Sequence, residues 1–514
     1  MTASDPLDDD RAWRRQLWWL LVAGTLARLA FAASTGLGVD ESYAVTVART
    51  PSWSYFDHPP LHFWLVGGWA RLWALAGDAT HTPPAWWLRL PFIACAAIAT
   101  WAIHQIGRDA FGARAGLVGA LCYTAMPVLS ATSGSWVLPD GPLLAASSVA
   151  VCWFGRLLYA PAPARAAWVW AGIALGLAAL AKYHAIFVAL AVAVAWATGG
   201  AAVRARWRGV AGAALLSALV ALPVFLWNAA HDWASFRFQG GRAAAQGLRL
   251  DALATMLGGQ AAYLLPWMLV LLTGALVTAH RRRPAPAVRL LVVAAAGPIV
   301  AFTLPSLWSP GGLPHWTAPG WAMACPLAGW WMTRDRGLLR ARRWLGLGLV
   351  TTAALMLVVA SDVRTAWLSR RLPATVQGRT PTLELADWRP LRDSLARRGW
   401  LGPETVVAAP SWIQAGKLGI ALGPRIAVTC ACDDARHFRF VPTAAPTVHV
   451  ARWRAGDGGV PLHLLTVPAP LAVTAVRTGP VASLAPGGQR QRGGRVADRA
   501  PTPHTVTRGA SSSP

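Results

Sequence analysis

The sequence predicts an all-α polytopic membrane bundle followed by a small C-terminal α/β domain. Three observations predict it. Of 514 residues, 55% are hydrophobic and only 13% charged, where a soluble domain carries about a quarter charged. The apolar residues fall in blocks of roughly 16 to 22, enough for a helix to cross a hydrocarbon core of about 30 Å. The arginines gather in short runs between blocks, such as Arg204, Arg206 and Arg208, or Arg281, Arg282 and Arg283. Basic residues in alternate loops are the positive-inside pattern.

The first block, Leu17 to Ser34, follows Arg11, Arg14 and Arg15 and lacks a small-residue cleavage site in a convincing position, so it reads as a retained helix and not a removed signal. Further blocks cover 86–106, 115–135, 141–160, 167–181, 184–199, 209–228, 259–279, 290–304, 315–333 and 344–361, making about eleven crossings. Leu61 to Gly77 is apolar enough to span but carries Arg71. Parity decides its placement. If it spanned, the Arg108/Arg114 loop and later basic loops would lie opposite the N-terminal arginines. It is therefore read as a juxtamembrane helix on the outer face. Four parts then face outward: the loop from Gly36 to about Ala85, the turn at Pro139-Asp140, the stretch from Asn228 to Leu257, and the chain after Ser361.

Residues 1–361 form the transmembrane domain on this reading. Residues 362–475 are less apolar and hold short β-like runs, Thr405-Val406-Val407-Ala408 and Thr447-Val448-His449-Val450, as expected of an extracytoplasmic α/β domain. Residues 476–514 are rich in Gly, Arg, Ser, Thr and Pro without periodicity and read as a disordered tail.

The formal charge of +25 does not indicate nucleic acid, because no continuous basic face with interleaved aromatics emerges. Cys95, Cys122, Cys152 and Cys325 lie in apolar blocks as small core residues. Cys430 and Cys432, followed by Asp433, Asp434 and His437, form a C-x-C pair without a second pair. That is a weak metal signal, and a plain surface turn is the expectation.

Charged groups at the edge of a membrane need a reason. On the outward side the acids are Asp40, Glu41, Asp57 and Asp140, with Lys182, Arg28, Arg89 and His58 as basic partners. Such a rim suits a substrate with a phosphate leaving group. A carboxylate can orient or deprotonate an acceptor, and cations can hold the phosphate as charge develops. Plainer roles stand beside these. Asp40 and Glu41 can cap the helix near Ser42, and Asp140 can cap the next crossing. Lys182 can reach to headgroups, and Arg28 and Arg89 read as interface anchors. His231 and Asp232 sit at a helix exit, and His315-Trp316 suits an aromatic belt. A transporter or flippase shares the many crossings, but calls for ionisable groups near the midplane or a pseudo-symmetric repeat. The charges here sit at one rim, and no repeat is visible. A non-catalytic scaffold would leave the outer acids without purpose.

Val39-Asp40-Glu41-Ser42-Tyr43 and Tyr55-Phe56-Asp57-His58-Pro59-Pro60-Leu61 resemble the first outer loop of bacterial glycosyltransferase family 39-type enzymes. These share the GT-C fold with the protein O-mannosyltransferases and the aminoarabinose lipid A transferase. Further blocks match in order: Pro139-Asp140-Gly141-Pro142-Leu143, Gly176 to Tyr183, Trp227 to Phe236, Leu313 to Pro319, and Pro381 to Leu385 with Trp388. The resemblance covers roughly residues 15 to 440. It implies an inverting enzyme that moves a sugar from a polyprenyl-phosphate carrier to an envelope lipid, glycan or protein, on the extracytoplasmic side of the bacterial inner membrane. Asp40 would be the main catalytic carboxylate, supported by Glu41, with Asp140 a second acid facing the same cavity. Lys182 would bind the carrier phosphate. The matched blocks make Asp57, His58, Tyr183, His231, His315 and Trp316 further substrate-binding candidates. Asp57-His58 stands where the aminoarabinose branch has Glu-Lys, a position that approaches a phosphate or a divalent ion in relatives. A divalent cation is therefore a possible cofactor. A histidine there would carry a pH-dependent charge.

Overall fold

The computed structural model describes residues 6–468 except 161–163, 243–246, 284, 335–337, 374–380, 398, 400, 403–404, 442–446 and 454–461. The tail expected over 476–514 lies outside the described residues.

Every apolar block forms helix. The N-terminal part runs α1 (Pro6–Ser34), α2 (Val39–Val47), α3 (Leu61–Leu75), α4 (Ala85–Phe111), α5 (Ala113–Thr124), α6 (Asp140–Tyr159), α7 (Arg165–Ala181) and α8 (Ile186–Ala197). It continues through α9 (Trp207–Ala230), α10 (Ala234–Gly241), α11 (Leu250–Leu264), α12 (Pro266–Arg282), α13 (Val288–Thr303), α14 (Ala318–Arg334) and α15 (Leu338–Thr365). Among the described residues, six helices are by themselves long and apolar enough to cross a membrane, and two bent pairs raise the number to eight. The chain is a multi-pass membrane protein.

Two expected crossings are not straight. The block 259–279 breaks at Leu265, whose φ is 73°, and α11 and α12 meet at 100°. Pro266 follows, and a proline can neither donate to nor continue the preceding helix. The block 115–135 bends by 85° between α5 and the segment Val128–Ser135, with Pro127 at the break and a π turn over Val128–Thr132. Helices α7 and α8 are short, 17 and 12 residues, roughly 25 and 18 Å. Lys182 separates them in extended conformation.

Lipid offers no hydrophobic drive between helices, so close backbone approach has to hold the bundle. At Gly329 of α14 an added Cβ would lie 2.1 Å from the Ala115 carbonyl oxygen of α5. Any side chain there would push the two helices apart.

The C-terminal domain is a four-stranded sheet of order β2-β1-β3-β4: β1 (Thr405–Ala409), β2 (Ala427–Cys430), β3 (Thr447–Trp453) and β4 (Leu462–Pro468). Strand β1 pairs in parallel with β2 and β3, and β4 closes one edge antiparallel. Parallel strands covered on both faces read as apolar runs, and Val406, Val407, Ala408 and Ala409 are all buried. Helix α16 (Trp412–Leu422) connects β1 to β2 and starts on Ser411, whose hydroxyl accepts from the Gln414 amide at 3.3 Å. This helix docks the domain onto α2. A Cβ at Gly416 would stand 2.7 Å from the Tyr43 nitrogen, so glycine permits the contact. The Thr46 hydroxyl donates to the Gly416 carbonyl at 3.1 Å, and Arg49 donates to the carbonyls of Gly419 at 2.8 Å and Gly423 at 3.2 Å. Phe63 and Val66 of the expected outer-loop helix α3 belong to the same apolar cluster as Val407 and Leu418, so α3 shares one end of the bundle with the C-terminal domain.

Candidate active site

Helix α2 begins right after α1, and its first turn carries Asp40 and Glu41. The two acids face different surroundings. Glu41 is buried and both its oxygens are taken. Oε2 accepts from the Gly38 amide at 2.7 Å and Arg89 Nη2 at 2.6 Å; Oε1 accepts from Arg89 Nε at 2.7 Å and the Val137 amide at 2.9 Å. Arg89 also donates to the carbonyls of Ala32, Thr35 and Gly36. It is fully buried and no interface anchor, as the sequence had suggested; it pins the α1–α2 turn. Arg28 is likewise buried and donates to Ser130 through the carbonyl at 3.2 Å and the hydroxyl at 3.1 Å.

Asp40, one residue earlier, is exposed to solvent, and among the described residues none donates a hydrogen bond to its carboxylate. Protein atoms nevertheless surround it, and this burial raises its carboxyl above the usual range, while Arg436 pulls it back down. Glu41, Asp140 and Lys182 also act on it electrostatically.

Asp140 opens α6, where the helix N-terminus favours a negative charge. Lys182 Nζ donates to its Oδ1 at 2.9 Å, and both side chains are buried. An ammonium has three donors, so the pair leaves Lys182 with two more. His315 stands within electrostatic reach of both. Next to the pair lies a cavity of about 300 Å³. His58, Lys182, Tyr183, Gln239, Arg242 and Trp316 supply its polar wall, and Ile186, Phe187 and Phe302 its apolar wall. Arg242 lies 4.6 Å over the Trp316 ring.

Asp57 is buried on the far side of His58. Tyr43 donates its hydroxyl to Oδ1 at 2.9 Å, and Arg436 Nη1 lies 3.6 Å from Oδ2. Burial pushes the Asp57 carboxyl up to about 6, against the pull of Arg436. Burial also lowers His58 well below the ordinary imidazole range and His62 to about 3, so both rings are neutral near pH 7. Among the described residues, no three His, Cys, Asp or Glu side chains are grouped to hold a metal ion.

Residues 57–227 match the family described as dolichyl-phosphate-mannose-protein mannosyltransferase. No curated protein matches the chain in sequence. Among solved structures it is similar to ArnT from Cupriavidus metallidurans in the apo state, at 16% identity and a TM-score of 0.60, over 86% of this chain and 93% of that one. The same protein bound to undecaprenyl phosphate is matched at 16% identity and a TM-score of 0.60, over 84% and 92%. The chain has the GT-C fold.

Within this GT-C fold the candidate residues fall into three groups. Lys182, His58, Tyr183 and Trp316 line the cavity; Asp140 pairs with Lys182, and Asp40 and His315 are coupled to that pair electrostatically. Glu41 serves the turn that carries Asp40. His231 stands apart: its ring stacks on Trp227 at 4.2 Å, its Nδ1 meets the Trp227 carbonyl at 2.7 Å, and Phe440 flanks it. It closes the end of α9 and does not line the cavity.

The sequence reading missed Arg242, Gln239 and Arg436. At Cys430–Cys432 the expected surface turn is present, and the two cysteines form a disulfide within it. The turn beyond them is buried against the site through His437, which is 2% exposed. A basic residue following two acids, Asp433-Asp434-Ala435-Arg436, was the only signal available, and it reads equally as a solvated charge run.

Proposed function

We propose that this protein transfers a sugar from a polyprenyl-phosphate carrier to an envelope acceptor, at the extracytoplasmic face of the bacterial inner membrane. One observation carries the reading: Lys182, which acts electrostatically on the exposed carboxylate of Asp40, lines a cavity with Arg242 on its polar wall and apolar side chains on the other. The polar end fits a phosphate and the apolar end a lipid tail. That the ArnT structure of the same fold binds undecaprenyl phosphate supports the same donor class. The arginine-rich loops at the opposite helix ends support an outward-facing site.

The chemistry is a single displacement. The acceptor hydroxyl gives its proton to Asp40 as its oxygen bonds to the anomeric carbon. The bond from that carbon to the phosphate oxygen breaks, and polyprenyl phosphate leaves with the electron pair. One displacement inverts the anomeric centre. Asp40 acts as general base, Lys182 and Arg242 stabilise the leaving phosphate, and Glu41 positions Asp40 through the turn it clamps. Asp140 orients Lys182.

Carrier profiling tests this. In a strain lacking the gene, one polyprenyl-phosphate sugar should accumulate and one envelope glycan should lose a residue, and the intact chain should restore both. An unchanged carrier pool together with an unchanged envelope would refute the proposal. Lys182→Ala should raise the KM for the donor about ten- to hundredfold, the worth of a charge-assisted hydrogen bond, and leave the acceptor KM in place. The double variant with Asp140→Asn separates this from the cost of an unpaired Asp140. Equal losses for both substrates would remove Lys182 from donor binding.

A further inference from the structure

Arg436 comes from the C-terminal domain, yet it reaches the transfer site. It starts the 3₁₀ turn Arg436–Phe440, just beyond the Cys430–Cys432 disulfide at the end of β2. Its φ is 47°, a left-handed value uncommon outside glycine, so its surroundings hold it there. The guanidinium lies 3.9 Å from the Trp412 ring centroid and 5.7 Å from that of Phe238 on α10. Its Nη1 is 3.6 Å from Asp57 Oδ2, and its Nε is 3.6 Å from Asp434. The next residue reaches the other oxygen of the same carboxylate. The His437 amide donates to the Tyr43 hydroxyl at 3.0 Å, and Tyr43 donates to Asp57 Oδ1 at 2.9 Å. His437 Nδ1 meanwhile accepts from the Phe56 amide at 3.2 Å. One turn of the outer domain therefore engages both oxygens of Asp57.

The family resemblance raised a divalent cation at Asp57-His58, and these residues do not fit one. Oδ1 of Asp57 is taken by the Tyr43 hydroxyl and Oδ2 faces the Arg436 guanidinium at 3.6 Å. Among the described residues the Nδ1 atoms of His58 and His62 are without partners, but no carboxylate joins them in a three-ligand group. A dication at Asp57 would also face a guanidinium at contact distance, a repulsion that a partly buried site screens poorly.

We propose that Arg436 is a positioning residue that takes the place of a divalent cation: it holds Asp57 and supplies the fixed positive charge beside Asp40, so that transfer needs no added metal. This rests on the transfer reading above for its kinetic part only.

The test uses the full chain in lipid nanodiscs. In Mn²⁺ titrations followed by electron paramagnetic resonance, wild type and Asp57→Asn should take up the ion equally weakly. Stoichiometric uptake by wild type that Asp57→Asn or His58→Ala abolishes would overturn the proposal. In donor turnover with a polyprenyl-phosphate sugar, EDTA should leave the wild-type rate within roughly twofold, and Arg436→Ala should lower kcat about a hundredfold with the donor KM within roughly threefold. Arg436→Lys should fall between, and millimolar guanidinium should restore part of the Arg436→Ala rate. A lost rate without guanidinium rescue, or a variant that keeps its rate, would make Arg436 a docking residue only and sink the idea. If wild type transfers no sugar at all, the functional reading fails, and the Mn²⁺ titration still decides the role of Arg436.

Discussion

Asp40→Asn is expected to lower kcat by about 10²- to 10⁴-fold, the usual range for removing a general base, with donor KM and membrane insertion unchanged. Asn keeps the shape and removes the proton acceptor. The side chain is exposed and, among the described residues, has no hydrogen bond to lose, so a folding defect is not expected, and the loss should lie in the chemical step. The same geometry sets a pH dependence. Burial raises the carboxyls of Asp40 and Asp57, the latter to about 6. A group with a raised pKa takes up its proton earlier as pH falls, so kcat should drop on the acid side at a higher pH than an ordinary aspartate would set. That acid limb should be absent from the residual activity of Asp40→Asn. A variant keeping more than about a tenth of wild-type kcat on a verified substrate would exclude Asp40 as the base.

Glu41→Ala is expected to destabilise the protein by about 3–5 kcal/mol, the cost of leaving a buried ion partner alone. Arg89 is fully buried beside it and would keep its charge with only carbonyls and one hydroxyl around it. The turn that presents Asp40 would loosen as well, because the amides of Gly38 and Val137 lose their acceptor. The measurement is the melting temperature in detergent for Glu41→Ala, Arg89→Met and the pair together. Replacing both partners should recover much of the loss, as buried ion pairs exchanged for apolar residues commonly do. If Glu41→Gln lost kcat at an unchanged melting temperature, Glu41 would belong to the chemistry and not to the scaffold.

These two neighbours show what the sequence could and could not tell. Both acids stood at the start of a helix on the outer loop, and a capping role fitted each. Glu41 does cap the Gly38 amide, but its deeper role depends on Arg89, which lies on another helix. No periodicity links the two. The bundle was legible because length and apolarity suffice to identify a membrane helix. The breaks at Leu265 and Pro127 were harder, since hydropathy runs smoothly across them while the backbone does not. The Asp140–Lys182 pair was legible as two charges on one rim, and the structure joined them. Arg436 was not legible at all. It lies in a polar stretch of the outer domain, and only the docking of α16 on α2 brings it to Asp57.

That docking has a consequence for how the protein comes into being. A ribosome releases the chain from its N-terminus, so the turn bearing Asp40 is inserted among the first segments made. Some of its supports arrive much later. Lys417 donates to the Leu37 carbonyl and, at 3.3 Å, to that of Ala386, and His437 steadies Tyr43. A nascent chain halted after Thr365 would hold every membrane helix described here and still lack the hands that hold its reactive loop. The segment that steadies Leu37 and Tyr43 is therefore made only after the membrane helices it steadies.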